Sequence, residues 1–94
     1  QLSTLLAAHN EFTEVDDTVA TSRSLKVVDL SHNRLVRISH RMGTHMPALE
    51  TLDVSCNFLT RLPDTLGRCP SLRNLLAHSN RLVNVPSTLG PIMA

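Results

Sequence analysis

Asn10, Asn33, Asn57 and Asn80 are separated by 23, 24 and 23 residues, and each closes the same apolar frame. The first copy reads Leu2-x-x-Leu5-x-Ala7-x-x-Asn10-x-Phe12, and the second Leu25-x-x-Val28-x-Leu30-x-x-Asn33-x-Leu35. The third is Leu49-x-x-Leu52-x-Val54-x-x-Asn57-x-Leu59, and the fourth Leu72-x-x-Leu75-x-Ala77-x-x-Asn80-x-Leu82. Before each Asn the apolar positions alternate with period two, which is a strand signal. The strands this allows are about three to five residues long, at the short end of the usual range. One such strand cannot bury its own apolar stripe. The copies must stack, as a parallel sheet with strands about 4.8 Å apart.

The recurrence continues past the Asn. Val15, Ile38, Leu62 and Val85 share one register, and Val19, Met42, Leu66 and Leu89 share the next. Pro63 and Pro86 directly follow Leu62 and Val85, and Gly43, Gly67 and Gly90 follow Met42, Leu66 and Leu89. The chain thereby resembles the leucine-rich repeat family, whose pattern is L-x-x-L-x-L-x-x-N-x-L at a period of 20 to 29 residues. The Leu-Pro-x-x-Leu of repeat three and the Val-Pro-x-x-Leu of repeat four are similar to the intracellular variety with repeats of about 23 residues. The resemblance covers essentially all of the chain. It implies an α/β fold: a leucine-rich repeat solenoid forming a right-handed coil. Short parallel strands line its concave face, and short helical or extended segments its convex face.

Repeat two lacks the Pro and carries one extra residue between Met42 and Leu49. That residue is expected in the convex connection, where an insertion disturbs no strand pairing. Gly67 and Gly90 are expected to end the convex turns in left-handed backbone conformations. At each strand exit the chain turns and leaves inward backbone groups in need of partners. The amide of Asn can both donate to and accept from backbone there. The resemblance implies that Asn10, Asn33, Asn57 and Asn80 form a buried ladder, with a structural rather than a ligand-binding role.

The 94 residues suffice for one small domain, with expected repeats 1–24, 25–48, 49–71 and 72–94. One further period from Leu72 falls at position 95, so the expected array is a slice of a longer one. Phe12 and Phe58 are the only Phe, and Trp and Tyr are absent, so the core must be aliphatic. A net charge of +1 gives no pull toward nucleic acid or an anionic membrane. No apolar run reaches membrane-spanning length. Cys56 at a strand exit and Cys69 on the convex side are expected too far apart for a disulfide. Two unpaired thiols suit a reducing compartment, and no Asn-x-Ser/Thr sequon is present. The expected location is therefore intracellular and cytoplasmic.

His9, His32, Cys56 and Ser79 share one register. Stacked, two imidazoles and a thiolate have zinc-ligating chemistry, but the clustered spacings of metal sites are missing. They read as a solvated row, and no metal or other cofactor is expected. No phosphate loop, His-Glu-x-x-His or Gly-x-Ser-x-Gly motif occurs, so the chain reads as a non-enzyme without a small-molecule substrate.

Side chains between the buried strand positions project from the concave face. One row is Leu6, Asp29, Asp53 and Leu76, and another is Thr4, Val27, Thr51 and Asn74. Adjacent Asp29 and Asp53 repel, which calls for a reason. Either Lys26 and Arg73 offset them or a partner does. The sequence thus points to a scaffold that binds a protein partner through Leu6, Asp29, Asp53, Leu76, Thr51 and Asn74. The alternatives are a regulatory segment of a larger multidomain enzyme, or a structural subunit of a large assembly. A second candidate is an edge carrying Arg34, Arg37, Arg61 and Arg81, with Glu11 and Glu14 at its N-terminal end. Nucleic acid is not expected there, because aromatics for base stacking are missing.

Overall fold

The computed structural model describes residues 2–15 and 17–93. The outer domain limits at Gln1 and Ala94 lie outside these. Each repeat contributes one three-residue strand: β1 (Thr4–Leu6), β2 (Val27–Asp29), β3 (Thr51–Asp53) and β4 (Asn74–Leu76). They form one parallel sheet in chain order. The middle residues Leu5, Val28, Leu52 and Leu75 pair in register, so the apolar stripe continues from repeat to repeat. Inter-repeat bonding runs on past the strands. Ala7, Leu30 and Val54 each donate a backbone N–H at 2.8 Å to Asp29, Asp53 and Leu76 of the following repeat.

The return side uses a different element in each half of the chain. Repeats one and two carry short α-helices, α1 (Asp17–Ala20) and α2 (Arg41–His45). Repeats three and four carry 3-10 helices at Asp64–Arg68 and Ser87–Ile92. Pro63 and Pro86 stand immediately before these, with φ of −68° and −55°, which the pyrrolidine ring presets. The extra residue of repeat two is absorbed on this side, since Asp29 still faces Asp53 across the sheet. Between sheet and return segments lies an aliphatic core containing fully buried Leu35, Met42, Met46, Leu49, Leu52, Leu59, Leu66 and Leu75. Packing is looser in the first repeat, where Leu5, Ala7, Val15 and Val19 are only half-buried.

The ladder Asn residues join the turns. Asn57 Nδ2 donates to Val54 O (2.9 Å) and Ser55 O (3.1 Å) in its own turn, and to Leu30 O (3.0 Å) in the preceding repeat. Its Oδ1 accepts the N–H of Leu35, also in the preceding repeat, at 3.0 Å. Asn33 makes the equivalent bonds to Leu30, Ser31, Ala7 and Phe12, and Asn80 to Ala77, His78, Val54 and Leu59. Burial grades along the row. Asn33 and Asn57 are buried and Asn80 is half-buried. Asn10 is exposed and, among the described residues, bonds to Ala7 and Ala8 in its own turn.

Glycine has a different task from the one expected. No described glycine has a positive φ. Gly67 and Gly90 lie within the 3-10 helices rather than ending a turn in the left-handed region. Gly43, buried in α2, is needed for close approach, because a Cβ there would overlap the backbone carbonyl of Thr65. The same contact is held by Thr65 Oγ1, which donates to His40 O at 2.8 Å.

Two stability outcomes follow. Asn57→Ala strands buried carbonyls and the Leu35 N–H, and should cost roughly 1–3 kcal/mol in urea denaturation. Asn10→Ala, losing exposed local bonds only, should cost about 0.5 kcal/mol or less. Equal losses would show that the inter-repeat bonds contribute nothing. Gly43→Ala should lower stability by roughly 1–3 kcal/mol through overpacking against backbone. Gly90→Ala, with open space around its Cβ position, should not.

Candidate functional site

The sheet register assembles the exposed strand positions into rows. Leu6, Asp29, Asp53 and Leu76 are consecutive partners across β1 to β4, as are Thr4, Val27, Thr51 and Asn74. Leu6, the last residue of the outermost strand β1, is 74% exposed. Asp29, Asp53, Leu76 and Thr51 are half-buried and Asn74 is exposed, with its Nδ2 donating to Thr51 Oγ1 at 3.4 Å. All six sequence-selected residues therefore lie on one face, and the Leu-Asp-Asp-Leu row is continuous.

The two carboxylates are not balanced by ion pairs. Among the described residues the ion pairs are Arg34–Glu11 (3.2 Å) and Arg41–Asp17 (3.4 Å), and Lys26 and Arg73 form none. Instead each Asp is held by a Ser two residues on. Asp29 Oδ1 accepts the Ser31 N–H at 3.0 Å and the Ser31 hydroxyl at 2.7 Å. Asp53 Oδ1 accepts from Ser55 in the same way, at 3.0 and 2.6 Å. Ser31 and Ser55 are buried, so these bonds satisfy hydroxyls that would otherwise be stranded. Two bonds to one carboxylate oxygen fix the direction of each side chain. The signal was present in the sequence as the recurring Asp-x-Ser of repeats two and three.

The register of His9, His32, Cys56 and Ser79 is set by the backbone. All four are left-handed, with φ of 59°, 55°, 57° and 56°. His9, His32 and Cys56 each donate a backbone N–H to the next repeat, at 3.1, 3.0 and 2.9 Å. This conformation swings the following Asn inward. The His9 and His32 rings stack, with centroids 4.4 Å apart and planes 12° from parallel. Among the described residues no three His, Cys, Asp or Glu side chains form a group that could hold a metal ion. Cys56 and Cys69 are free thiols. Cys69 is buried, its Sγ–H donates to Met46 O at 3.2 Å, and burial pushes the thiol pKa above its ordinary value. An open hollow of about 680 Å³ lies beside the first repeat, lined by Leu5, Ala7, Phe12, Val15 and Val19.

Residues 23–82 match the family model described as leucine rich repeat. The chain belongs to the leucine-rich repeat family. Its strand sheet, its return segments and the Asn that links each turn to the one before make it an α/β leucine-rich repeat solenoid. Human leucine-rich repeat-containing protein 58 is 49% identical over 53 residues, covering 56% of this chain and 14% of that protein. A Drosophila melanogaster leucine-rich repeat and calponin homology domain-containing protein is 40% identical over 65 residues, covering 69% and 8%. The mouse PH domain leucine-rich repeat-containing protein phosphatase 1 is 34% identical over 65 residues, covering 69% and 4%. The chain thus spans a small part of each of these relatives. It is a repeat module of the kind used in protein–protein interaction, and among the described residues no helix is long and apolar enough to cross a membrane.

A backbone test isolates the left-handed row. His32→Val and His32→Gly both remove the imidazole stack, but only Val pays for its branched Cβ at positive φ. The Gly variant should be more stable than the Val variant by about 1–2 kcal/mol in thermal denaturation. Equal stabilities would mean that the turn relaxes out of the left-handed region.

Proposed function

We propose that this leucine-rich repeat domain is a scaffold that binds a protein partner on its strand face, the concave side of the coil. The observation that carries this reading is the Leu6–Asp29–Asp53–Leu76 row. Repeat structure explains the buried positions, which every repeat shares. It does not call for a leucine 74% exposed beside two carboxylates held in fixed directions. A preset polar pair flanked by apolar surface is the composition of a recognition patch, because orientation is settled before binding and apolar burial supplies affinity. Thr51 and Asn74, already bonded to each other, extend the patch. The proposal assigns no catalysis and no cofactor to the chain. An intracellular, cytoplasmic setting is part of it, supported by two free thiols that suit a reducing environment.

A second reading is a regulatory repeat segment within a larger enzyme, favoured by the relative whose name includes a protein phosphatase. The reading frame flanking these residues decides it, since a frame without a catalytic domain removes the idea.

Photo-crosslinkers at positions 51 and 74 of the full-length protein should capture the same protein. One at Thr88, exposed on the return side, should not. D29N/D53N keeps an acceptor for Ser31 and Ser55 while removing both charges, and D29K/D53K reverses them. Capture should fall about tenfold or more in both variants with the fold retained. Undiminished capture by a folded D29K/D53K protein would exclude the strand face as the docking site.

A further inference from the structure

After each ladder Asn the chain runs along one edge of the coil before turning onto the return side. These edge loops are themselves tied together by backbone bonds. Phe58 N donates to Leu35 O at 2.9 Å, Arg81 N to Leu59 O at 2.8 Å and Val83 N to Thr60 O at 3.2 Å. The edge is therefore a built surface rather than a set of independent loops.

Its composition is distinctive. Segments 34–38, 58–62 and 81–85 carry four arginines, Arg34, Arg37, Arg61 and Arg81, and no acidic residue. Seven large hydrophobic side chains are exposed among the described residues. Five lie on this edge or its continuation in repeat one: Phe12, Val36, Phe58, Val83 and Val85. Val83 is 78% exposed. Two of the arginines are occupied. Arg34 pairs with Glu11 at 3.2 Å, and the Arg81 guanidinium lies 4.8 Å from the centre of the Phe58 ring. Arg37 and Arg61 are exposed and belong to neither described ion pair. Both line one groove of about 550 Å³, together with Val36, Thr60 and Pro63. Arg61 and Leu62 also line the adjoining groove, of about 320 Å³, with Asn84 and Val85. The two grooves therefore share a wall and follow one another across the repeats.

We propose that this edge is a second docking surface, separate from the strand face, for an extended acidic segment of a protein partner. Its carboxylates pair with Arg37 and Arg61, and its intervening apolar side chains cover Val36 and Val83. The charge complementarity is direct. Arg37 and Arg61 share one register, with Glu14 in that register only in repeat one, and their guanidiniums offer forked donors that match carboxylates while apolar flanks remove competing water. The same features disfavour a nucleic acid. The only aromatic ring on these three segments is Phe58, with the Arg81 guanidinium over it, so the segments that carry the arginines offer no row of rings for successive bases to stack on.

The test is an amide NMR titration of the labelled protein at low salt, with short synthetic peptides of alternating Glu and Leu, and of alternating Lys and Leu. The Glu-Leu peptide should shift the Val36, Arg37, Arg61 and Val83 amides and leave β2 and β3 unmoved. The Lys-Leu peptide should shift none of the edge amides. R37E/R61E, checked for an otherwise unchanged spectrum, should weaken Glu-Leu binding about tenfold or more. Should that variant misfold, R37Q/R61Q carries the same test without charge reversal. D29N/D53N should leave the titration unchanged, which separates this surface from the strand face. Absence of Glu-Leu binding, shifts confined to the strands, or unchanged affinity in the folded Arg variants would overturn the proposal. So would an oligouridylate that displaces the peptide and binds at least as tightly.

Discussion

Everything in this solenoid depends on an amide group that is shared between two turns. A three-residue strand makes too few backbone bonds to fix its neighbour, and a single repeat has no interior. The Asn side chain supplies the missing link. With one nitrogen it closes its own turn and reaches the preceding one, and with its oxygen it takes an N–H that would otherwise face the core. Each interior amide therefore does for the turns what the ladder bonds do for the strands. The register that results decides which side chains meet, and so it decides where any recognition surface can lie.

The left-handed residue before each Asn is the counterpart of that bond. Directing the amide inward requires a positive φ one residue earlier, in all four repeats. Three residue types, His in two repeats and Cys and Ser in one each, meet this need without glycine. This costs conformational energy that the Asn bonds offset. It also places the His9 and His32 rings face to face at the surface as a consequence of stacking.

Period and apolar pattern made the strand register and the membership of the exposed rows legible in the sequence, and the resemblance of the repeated frame to the leucine-rich repeat family implied the solenoid class. What was not legible came from contacts between repeats. The glycines suggested left-handed turns at Gly67 and Gly90, but the left-handed positions carry side chains and give no compositional signal. Gly43 is required for a reason visible only when α2 meets the carbonyl of Thr65. The adjacency of Asp29 and Asp53 was readable, but not their resolution. Charge balance by Lys26 and Arg73 is the obvious guess from sequence, whereas the serine two residues on is the partner in the structure.

That last point bears on how a repeat protein acquires specificity. Positions that point inward are constrained by the stack, so variation is tolerated only outside it. In this chain the variation falls into two chemically opposite zones: carboxylates with exposed leucine on the strands, and arginines with exposed valine and phenylalanine on the edge loops. A net charge of +1 hides this division, because it sums nine basic and eight acidic residues over the whole chain. Mixing them along one surface would let them neutralise each other and leave little for a partner to recognise. The Asn ladder keeps them apart, since it stands where each strand ends and each edge loop begins. The element that holds the coil together therefore also separates the strand-face carboxylates from the edge-loop arginines.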